Sequence, residues 1–239
     1  MKSPSGLELF DAVDATWVPL AFHNHEGWLI REGAGGGQRV SAATLLADAT
    51  SAKVGSAANK MLAIGQNPLF MIRDSDMDLD AELEALGYAV VDPVAILTAP
   101  IDRLIQKQPK HTHHIDRLIT PDNTATKIWA SGGIDQNRLN VMQRVKCPKT
   151  ILSAGDMGVA FAAAYADIAM VHAVEVANNH RRKGIANALM FEAFNWAKDQ
   201  DCNWVSVLTV RKNLPAHKLY ETLGMTEAAA YHYRSYVSH

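Results

Sequence analysis

The chain has 239 residues, of which 48% are hydrophobic and 20% are charged, and its formal net charge is −2. This length allows one large domain or two small ones, and the charge gives no overall positive footprint for nucleic acid or an anionic membrane. The two cysteines lie far apart, which excludes a disulfide framework and a cysteine-based zinc site. We find no apolar run long enough to span a bilayer and no signal peptide, so we expect a cytoplasmic protein without nucleic-acid or membrane partners.

The N-terminal half predicts short strands alternating with helices. A glycine-rich loop at 33–37 lies between two strands at 28–32 and 39–43. Because no helix follows this loop directly, we expect a hairpin turn rather than a nucleotide-binding loop. The elements expected after the hairpin are a helix at 50–64, a strand at 69–73, a helix at 79–86 and a strand at 88–97.

A stretch rich in Lys, His, Thr and Pro indicates a boundary at 106–123. We therefore expect an N-terminal domain at 1–108, a linker at 109–126 and a C-terminal domain at 127–239. The histidines of this stretch have no second cluster of ligands near them, so we expect surface histidines and no metal site. These histidines are His111, His113 and His114.

The C-terminal half gives clearer signals for its helices and strands. Asn213 can cap a helix that has Pro215 in its first turn and Gly224 just past its end. The other expected elements are helices at 134–146 and 187–199, and strands at 150–153, 159–167, 168–176, 204–210 and 231–237.

A basic loop lies between the strand at 168–176 and the helix that follows it. The loop presents Arg181, Arg182 and Lys183 and then Gly184, directly before the helix. Backbone N–H groups at a helix N-terminus, flanked by three cations, favour the binding of a phosphate or pyrophosphate.

The loop and a later helix together resemble the GNAT superfamily of N-acetyltransferases. In that family the loop follows the pattern Arg/Gln-x-x-Gly-x-Gly/Ala, and its fixed places are filled here by Arg181, Gly184 and Ala186. A second family pattern is Asn-x-x-Ala-x-x-x-Tyr-x-x-x-Gly-Phe. It is matched by Asn213, Ala216, Tyr220, Gly224 and, with Met in place of Phe, Met225. The resemblance covers about 127–237 and implies an α+β fold with a mixed, mostly antiparallel sheet flanked by helices.

The resemblance also implies acetyl-CoA as the co-substrate and no metal. The backbone of Val174 and Val176 would pair with the pantetheine arm, and Asn213 would touch the cofactor. A side chain at Gly184 would block the approach of the backbone to a phosphate. The pyrophosphate would be held by the N–H groups of Arg181, Arg182, Lys183, Gly184, Ile185 and Ala186.

Acetyl transfer to an amine requires a proton acceptor for the amine and a proton donor for the leaving thiolate. The resemblance places Tyr220 near the thioester sulfur, where its phenol can act as the acid. For the base we favour His172, which on a strand of period 2 shares a face with Val174 and Val176. The resemblance to arylalkylamine acetyltransferases, in which a histidine here serves in the proton path, supports this choice. Glu175 is the alternative base, which strict alternation points to the opposite face unless a β-bulge re-aims it.

The N-terminal half predicts a faint second copy of the same unit. Setting Gly87 on Gly224, an offset of 137 residues (224 minus 87), aligns strand with strand and helix with helix. In this copy Leu83 falls on Tyr220, and no phosphate loop precedes its first long helix. We therefore expect a degenerate GNAT-like domain that binds no coenzyme A and shapes the acceptor cleft.

These patterns predict an N-acetyltransferase that moves an acetyl group to a small-molecule or peptide amine by direct attack in a ternary complex. A non-catalytic acyl-CoA sensor or interaction module on the same fold is the alternative, and O-acyl transfer or a longer acyl donor also stays open. In the family the acceptor is often bound near the segment that holds Trp129 and the turn at 132–133, although packing explains Trp129 equally well. The patterns do not distinguish a monomer from a homodimer.

Overall fold

The computed structural model of the chain describes residues 2–46, 49, 52–106 and 113–236. Its fold is α+β with a large, mostly antiparallel sheet flanked by helices, as predicted. None of the described helices is long and apolar enough to cross a membrane. The helices are α1 Gly6–Thr16, α2 Val54–Ala63, α3 Met77–Ala85, α4 Ile101–Ile105, α5 Asn123–Ser131, α6 Gln136–Arg144, α7 Ile185–Asp199 and α8 Leu214–Leu223. The strands are β1 Ala21–His25, β2 Trp28–Glu32, β3 Ala43–Leu45, β4 Leu69–Arg73, β5 Ala89–Pro100, β6 Asp116–Leu118, β7 Lys149–Ser153, β8 Gly158–Tyr165, β9 Ile168–Val176, β10 Trp204–Val210 and β11 Thr226–Ser235.

The chain folds into two compact units whose residues are not contiguous in sequence. The first unit is Met1–Trp17, Ile96–Thr209 and Asn213–Ala228, and the second is Val18–Ala95, Val210–Lys212 and Ala229–His239. This division differs from the expected domains at 1–108 and 127–239. Helix α1 belongs to the first unit and most of β11 to the second, because these elements pack with segments that are distant in sequence. Such pairing leaves no local signal in the sequence.

The expected linker at 109–126 is partly regular structure. Residues 109–112, with His111, lie outside the described residues, whereas His113 and His114 are exposed. Strand β6 follows and pairs antiparallel with β7, and α5 begins at Asn123. The stretch is therefore an edge strand and a helix start, in addition to a connection.

The first unit is a sheet with helices on both faces. Its strand order is β6-β7-β8-β9-β10-β5, in which β9 and β10 are parallel and β7, β8 and β9 form an antiparallel meander. Helix α7 covers one face, where a Cβ at Gly158 would fall 2.8 Å from the Ile185 side chain. Helix α1 covers the other face, where the Trp17 and Phe161 rings lie 6.3 Å apart. All residues from Val159 to Ala164 are buried, as expected for a strand covered on both faces.

Helix α1 was not predicted from the sequence, although its start has a signature. The Ser5 side chain accepts from the Glu8 backbone, and the Glu8 carboxylate accepts from the Ser5 backbone. This reciprocal capping box satisfies two N–H groups that a helix start leaves without partners. The helix packs on β8 and β9, and its buried residues are Leu9, Phe10, Ala12, Val13 and Thr16.

The second unit contains the elements of the expected repeat. Its strand order is β1-β2-β3-β4-β11-β5. Strands β2 and β3 pair antiparallel, as expected for a hairpin. The second strand is Ala43–Leu45 rather than the expected 39–43, because a 3-10 turn occupies Gln38–Val40. The offset of 137 residues sets the first residue of α3, Met77, on that of α8, Leu214, and the first residue of β5 on that of β11. The order and spacing of β4, α3 and β5 therefore match those of β10, α8 and β11.

An ion cluster ties α3 to β11 within the second unit. Asp80 accepts from Arg234 Nε at 2.7 Å and Nη2 at 3.1 Å, and from His232 Nε2 at 2.7 Å. Arg234 is 5% exposed, so its charge depends on this carboxylate. Hydrogen bonding from Arg234, and then from His232, lowers the pKa of Asp80.

We predict that Asp80→Asn lowers the free energy of unfolding by about 3 kcal/mol, because it leaves the buried Arg234 guanidinium with only the exposed Glu84 carboxylate, 3.9 Å away, as counter-charge. Since the pKa of Asp80 is lowered on folding, its contribution is complete above the unfolded value, near pH 4, and is lost as the pH falls through the folded pKa. Urea unfolding at pH 7 and below pH 4 measures both effects. Asp78→Asn, in the same first turn but exposed, is the control and should be close to neutral. Equal stability of the two variants at pH 7 would contradict the prediction.

Candidate active site

Strand β9 carries a β-bulge in the middle of the predicted site. Phe161 pairs with His172 and Val159 pairs with Glu175, so two residues of β9 lie opposite one residue of β8. The first of the two, Ala173, has φ +52. A non-glycine residue in this region costs roughly 1–2 kcal/mol, and such strain concentrates at functional sites.

The bulge changes which side chains share a face of β9. Because paired residues on neighbouring strands point to the same side, His172 and Glu175 lie on one face, and Val176, opposite Gly158, lies on the other. The expectation that His172 shares a face with Val174 and Val176 is therefore wrong. The register instead agrees with the alternative, in which a bulge turns Glu175 to the face of His172.

His172 lies in a buried aromatic cluster and is 5% exposed. Its ring centroid lies 5.1 Å from that of Trp17 and 6.2 Å from that of Phe161. The Thr16 hydroxyl donates to the Ala12 carbonyl at 2.6 Å, so its oxygen accepts from His172 Nε2 at 2.9 Å. Since Nε2 holds its proton in this bond, it is not the atom that could accept another. No observation tests the catalytic role of His172, which stays a prediction.

Glu175 is more accessible, with 19% of its side chain exposed. Arg181 Nη2 donates to its Oε1 at 3.2 Å, and Arg181 Nε donates to the Val176 carbonyl at 3.3 Å. The carboxylate lies over the backbone of Gly132, at the end of α5. Because Arg181 is 58% exposed, the ion pair contributes little to stability but sets the direction of the carboxylate.

Pairing between β9 and β10 ends before either strand does. The parallel ladder runs from Ile168 with Trp204 to Val171 with Val207, and among the described residues it goes no further. Strand β9 nevertheless continues to Val176. The edge of β9 that holds Val174 and Val176, two of the predicted cofactor contacts, therefore lies beyond the ladder and is suited to an extended ligand.

The basic loop ends on a helix N-terminus that lacks a side-chain cap. Gly184 is the N-cap of α7, has φ +82 and makes no capping hydrogen bond. Arg182 has φ +64, and Arg181, Arg182 and Lys183 are all exposed. A Cβ at Gly184 would meet nothing within 4 Å, so packing does not require glycine here. The positive φ of the residue favours glycine instead. The helix starts at Ile185, which is buried, and Ala186 follows it in the first turn.

Helix α8 holds the second family pattern in the expected form. Asn213 caps the helix by accepting from Ala216 N at 3.3 Å, and Gly224 ends it with φ +97. Tyr220 is 6% exposed, and burial raises the pKa of its phenol to about 12. None of the described residues hydrogen-bonds its hydroxyl. The phenol is therefore protonated at neutral pH and available as a donor.

These residues fit the coenzyme A moiety that the family implies. Two buried atoms on the helices that follow β9 and β10 lack a hydrogen-bond partner among the described residues, namely Asn187 Oδ1 in the first turn of α7 and His217 Nε2 in α8. Such orphaned atoms are rare in proteins without a ligand or water to satisfy them. Asn213, His217 and Tyr220 are spaced i, i+4 and i+7, which sets them on one face of α8.

The sequence analysis did not predict α1, the helix whose end contacts His172. Thr16 and Trp17 come from the other end of the chain, and only the capping box could have indicated their helix. Trp129, for which acceptor binding and packing were both open, is fully buried and donates its indole N–H to the Ala173 carbonyl at 2.8 Å.

The chain was compared with known proteins. Residues 157–225 match the Acetyltransferase (GNAT) family, and no curated protein matches the chain. A GCN5-related N-acetyltransferase from Kribbella flavida is similar in structure, with a TM-score of 0.69, 14% identity, and 95% of this chain and 93% of that chain covered. A functionally unknown conserved protein from Staphylococcus epidermidis gives a TM-score of 0.65, 9% identity, and coverages of 92% and 94%. A tandem GNAT protein from the clavulanic acid biosynthesis pathway gives 0.55, 13%, and coverages of 89% and 79%.

At such low identities the solved structures establish the fold and not the activity. The matched residues 157–225 include the bulged strand, the basic loop, α7, β10 and α8, which is the part of the chain that forms the candidate site. The two sequence patterns and this match confirm the resemblance to the GNAT superfamily for the part of the chain that forms the candidate site, and the fold is that of GNAT proteins.

Proposed function

We propose that the protein is an N-acetyltransferase that moves the acetyl group of acetyl-CoA to an amine by direct attack in a ternary complex. The observation that carries the proposal is the end of the β9–β10 ladder at Val171 and Val207, followed in the chain by the uncapped N-terminus of α7. An exposed strand edge suits the pantetheine arm, and a helix N-terminus with three exposed cations suits the pyrophosphate.

The cofactor supplies the activated acetyl group, and the chain supplies the proton acceptor and donor. We assign the acceptor role to Glu175, because its carboxylate is partly exposed and shares a face with the buried His172. Tyr220 donates a proton to the leaving sulfur, because burial keeps its phenol protonated. No cysteine lies in either family pattern, which favours direct attack over a covalent acyl-enzyme.

Four expectations belong to this proposal. The acceptor is a small-molecule or peptide amine, and the second unit binds no coenzyme A because no glycine-ended basic loop precedes α2. The protein acts in the cytoplasm. His172, whose Nε2 is bonded to Thr16, is the second candidate for the base.

We predict that Gly184→Trp abolishes binding of acetyl-CoA to the whole protein, because Gly184 has φ +82 and an indole there would occupy the open space before α7. Isothermal titration calorimetry measures the loss. Gly65→Trp is the matched control, since Gly65 has φ +76 and open space in the second unit, and it should bind one equivalent. One full site remaining in Gly184→Trp would mean that another part of the chain binds the cofactor.

We predict that Glu175→Gln lowers kcat by roughly 100-fold or more, the range for a general base, and leaves the KM for acetyl-CoA unchanged. His172→Gln should chiefly lower the melting temperature, because His172 is buried against Thr16 and Trp17. Steady-state kinetics with a panel of amines and thermal denaturation measure both variants. A large loss of kcat in a stably folded His172→Gln, with Glu175→Gln active, would reverse the assignment.

We predict that Tyr220→Phe lowers kcat by roughly 100-fold, because no other donor replaces the phenol at the leaving sulfur. Since burial raises the pKa of Tyr220 to about 12, deprotonation of this phenol should not reduce kcat of the wild type between pH 7 and 10. The pH profile of thiol release from acetyl-CoA measures this. Tyr165→Phe, at an exposed tyrosine, should behave as the wild type. Tight cofactor binding without turnover of any amine would support an acyl-CoA sensor instead.

A further inference from the structure

We propose that Trp129 and Gly132, at the C-terminal end of α5, are positioning residues that hold the bulge of β9 and thereby place the Glu175 carboxylate. The inference rests on the proposed function for its effect on turnover. Neither residue belongs to the two family patterns.

Trp129 contacts the bulge at its most strained residue. Its indole is fully buried, and Nε1 donates to the Ala173 carbonyl at 2.8 Å. Ala173 has φ +52, and the register of β8 against β9 shifts at this residue. A half-buried carbonyl in a bulge has left the regular ladder and needs a donor elsewhere. The indole N–H supplies that donor, which favours the bulged register over the regular one.

Gly132 lies against the side chain of Glu175, two residues beyond Ala173. A Cβ added at Gly132 would lie 2.5 Å from the Glu175 carboxyl carbon and 2.7 Å from Glu175 Cγ. Since Gly132 has φ −87, an alanine there suits the backbone, and the crowded atoms are the end of a flexible side chain. The absence of a side chain at 132 therefore sets where the carboxylate can lie.

The contacts of Trp129 and Gly132 both determine where the Glu175 carboxylate lies. The bulge sets Glu175 on the same face as His172, and the bare backbone at Gly132 receives its carboxylate, which Arg181 then pairs with at 3.2 Å. The last turn of α5 thus fixes both the register of β9 and the position of the proposed base, Glu175. A misplacement of about 1 Å at such a group can cost roughly 100-fold in rate.

The test is a double-mutant cycle between positions 132 and 175. Gly132→Ala should lower kcat at least tenfold and leave both the KM and the calorimetric affinity for acetyl-CoA unchanged. In a Glu175→Ala background the same change should cost nothing further, because there is no longer a side chain to displace. Gly6→Ala, at a helix-end glycine with open space around it, should keep the wild-type kcat. Full kcat in Gly132→Ala, or an equal loss in both backgrounds, would overturn the proposal for Gly132.

Trp129→Phe tests the indole N–H separately. Amide hydrogen exchange at 172–176 should become at least tenfold faster than in the wild type, with acetyl-CoA still bound. Trp196→Phe removes another buried indole, eleven residues beyond Ile185 on α7, and should leave exchange at 172–176 unchanged. Wild-type exchange in Trp129→Phe, or equal acceleration in both variants, would overturn the role of Trp129. Hydrogen exchange does not depend on turnover. An inactive wild type would therefore refute the proposed function, and the exchange at 172–176 would still test the role of Trp129.

Discussion

The candidate site depends on one backbone irregularity, the extra residue that β9 carries opposite β8. In an unbroken ladder His172 and Glu175 would lie on opposite faces of β9, and the carboxylate would point toward α7. With two residues of β9 opposite one of β8, the buried imidazole and the accessible carboxylate lie on the same face. The strain of Ala173 is the cost of this arrangement, and the buried indole of Trp129 offsets part of it by satisfying the Ala173 carbonyl.

The two faces of β9 serve different purposes. On one side α7 packs close because Gly158 has no side chain, and the helix N-terminus then lies next in the chain after the strand and its basic loop. On the other side Thr16 and Trp17, at the end of α1, contact His172, and Glu175 stays partly exposed beside the end of α5. The proposed anion-binding end and the proposed proton acceptor thus lie within the same short segment of chain without competing for space. Arg181 reaches between them, since it belongs to the loop and pairs with Glu175.

Much of this could be predicted from sequence, and the rest could not for physical reasons. Strands β4, β9 and β10 have the predicted bounds, because apolar runs between turn residues leave few alternatives. The caps of α8 follow from Asn213 and Gly224. The bulge leaves no trace, since an alanine and not a glycine occupies its left-handed position at 173. The surroundings of His172 were also hidden, because Thr16 is separated from it by more than 150 residues and only packing brings them together.

The interleaving of the two units has a consequence for how the chain acquires its structure during synthesis. Tyr231 pairs with Arg73, so the sheet of the second unit needs residues that leave the ribosome more than 150 positions after the strand with which they pair. Its earlier strands must wait with an unpaired edge while more than 150 residues are made, whereas β7, β8 and β9 can join as a local meander. The half of the chain that is synthesised first is therefore the half that completes its sheet last, which reverses the usual domain-by-domain order.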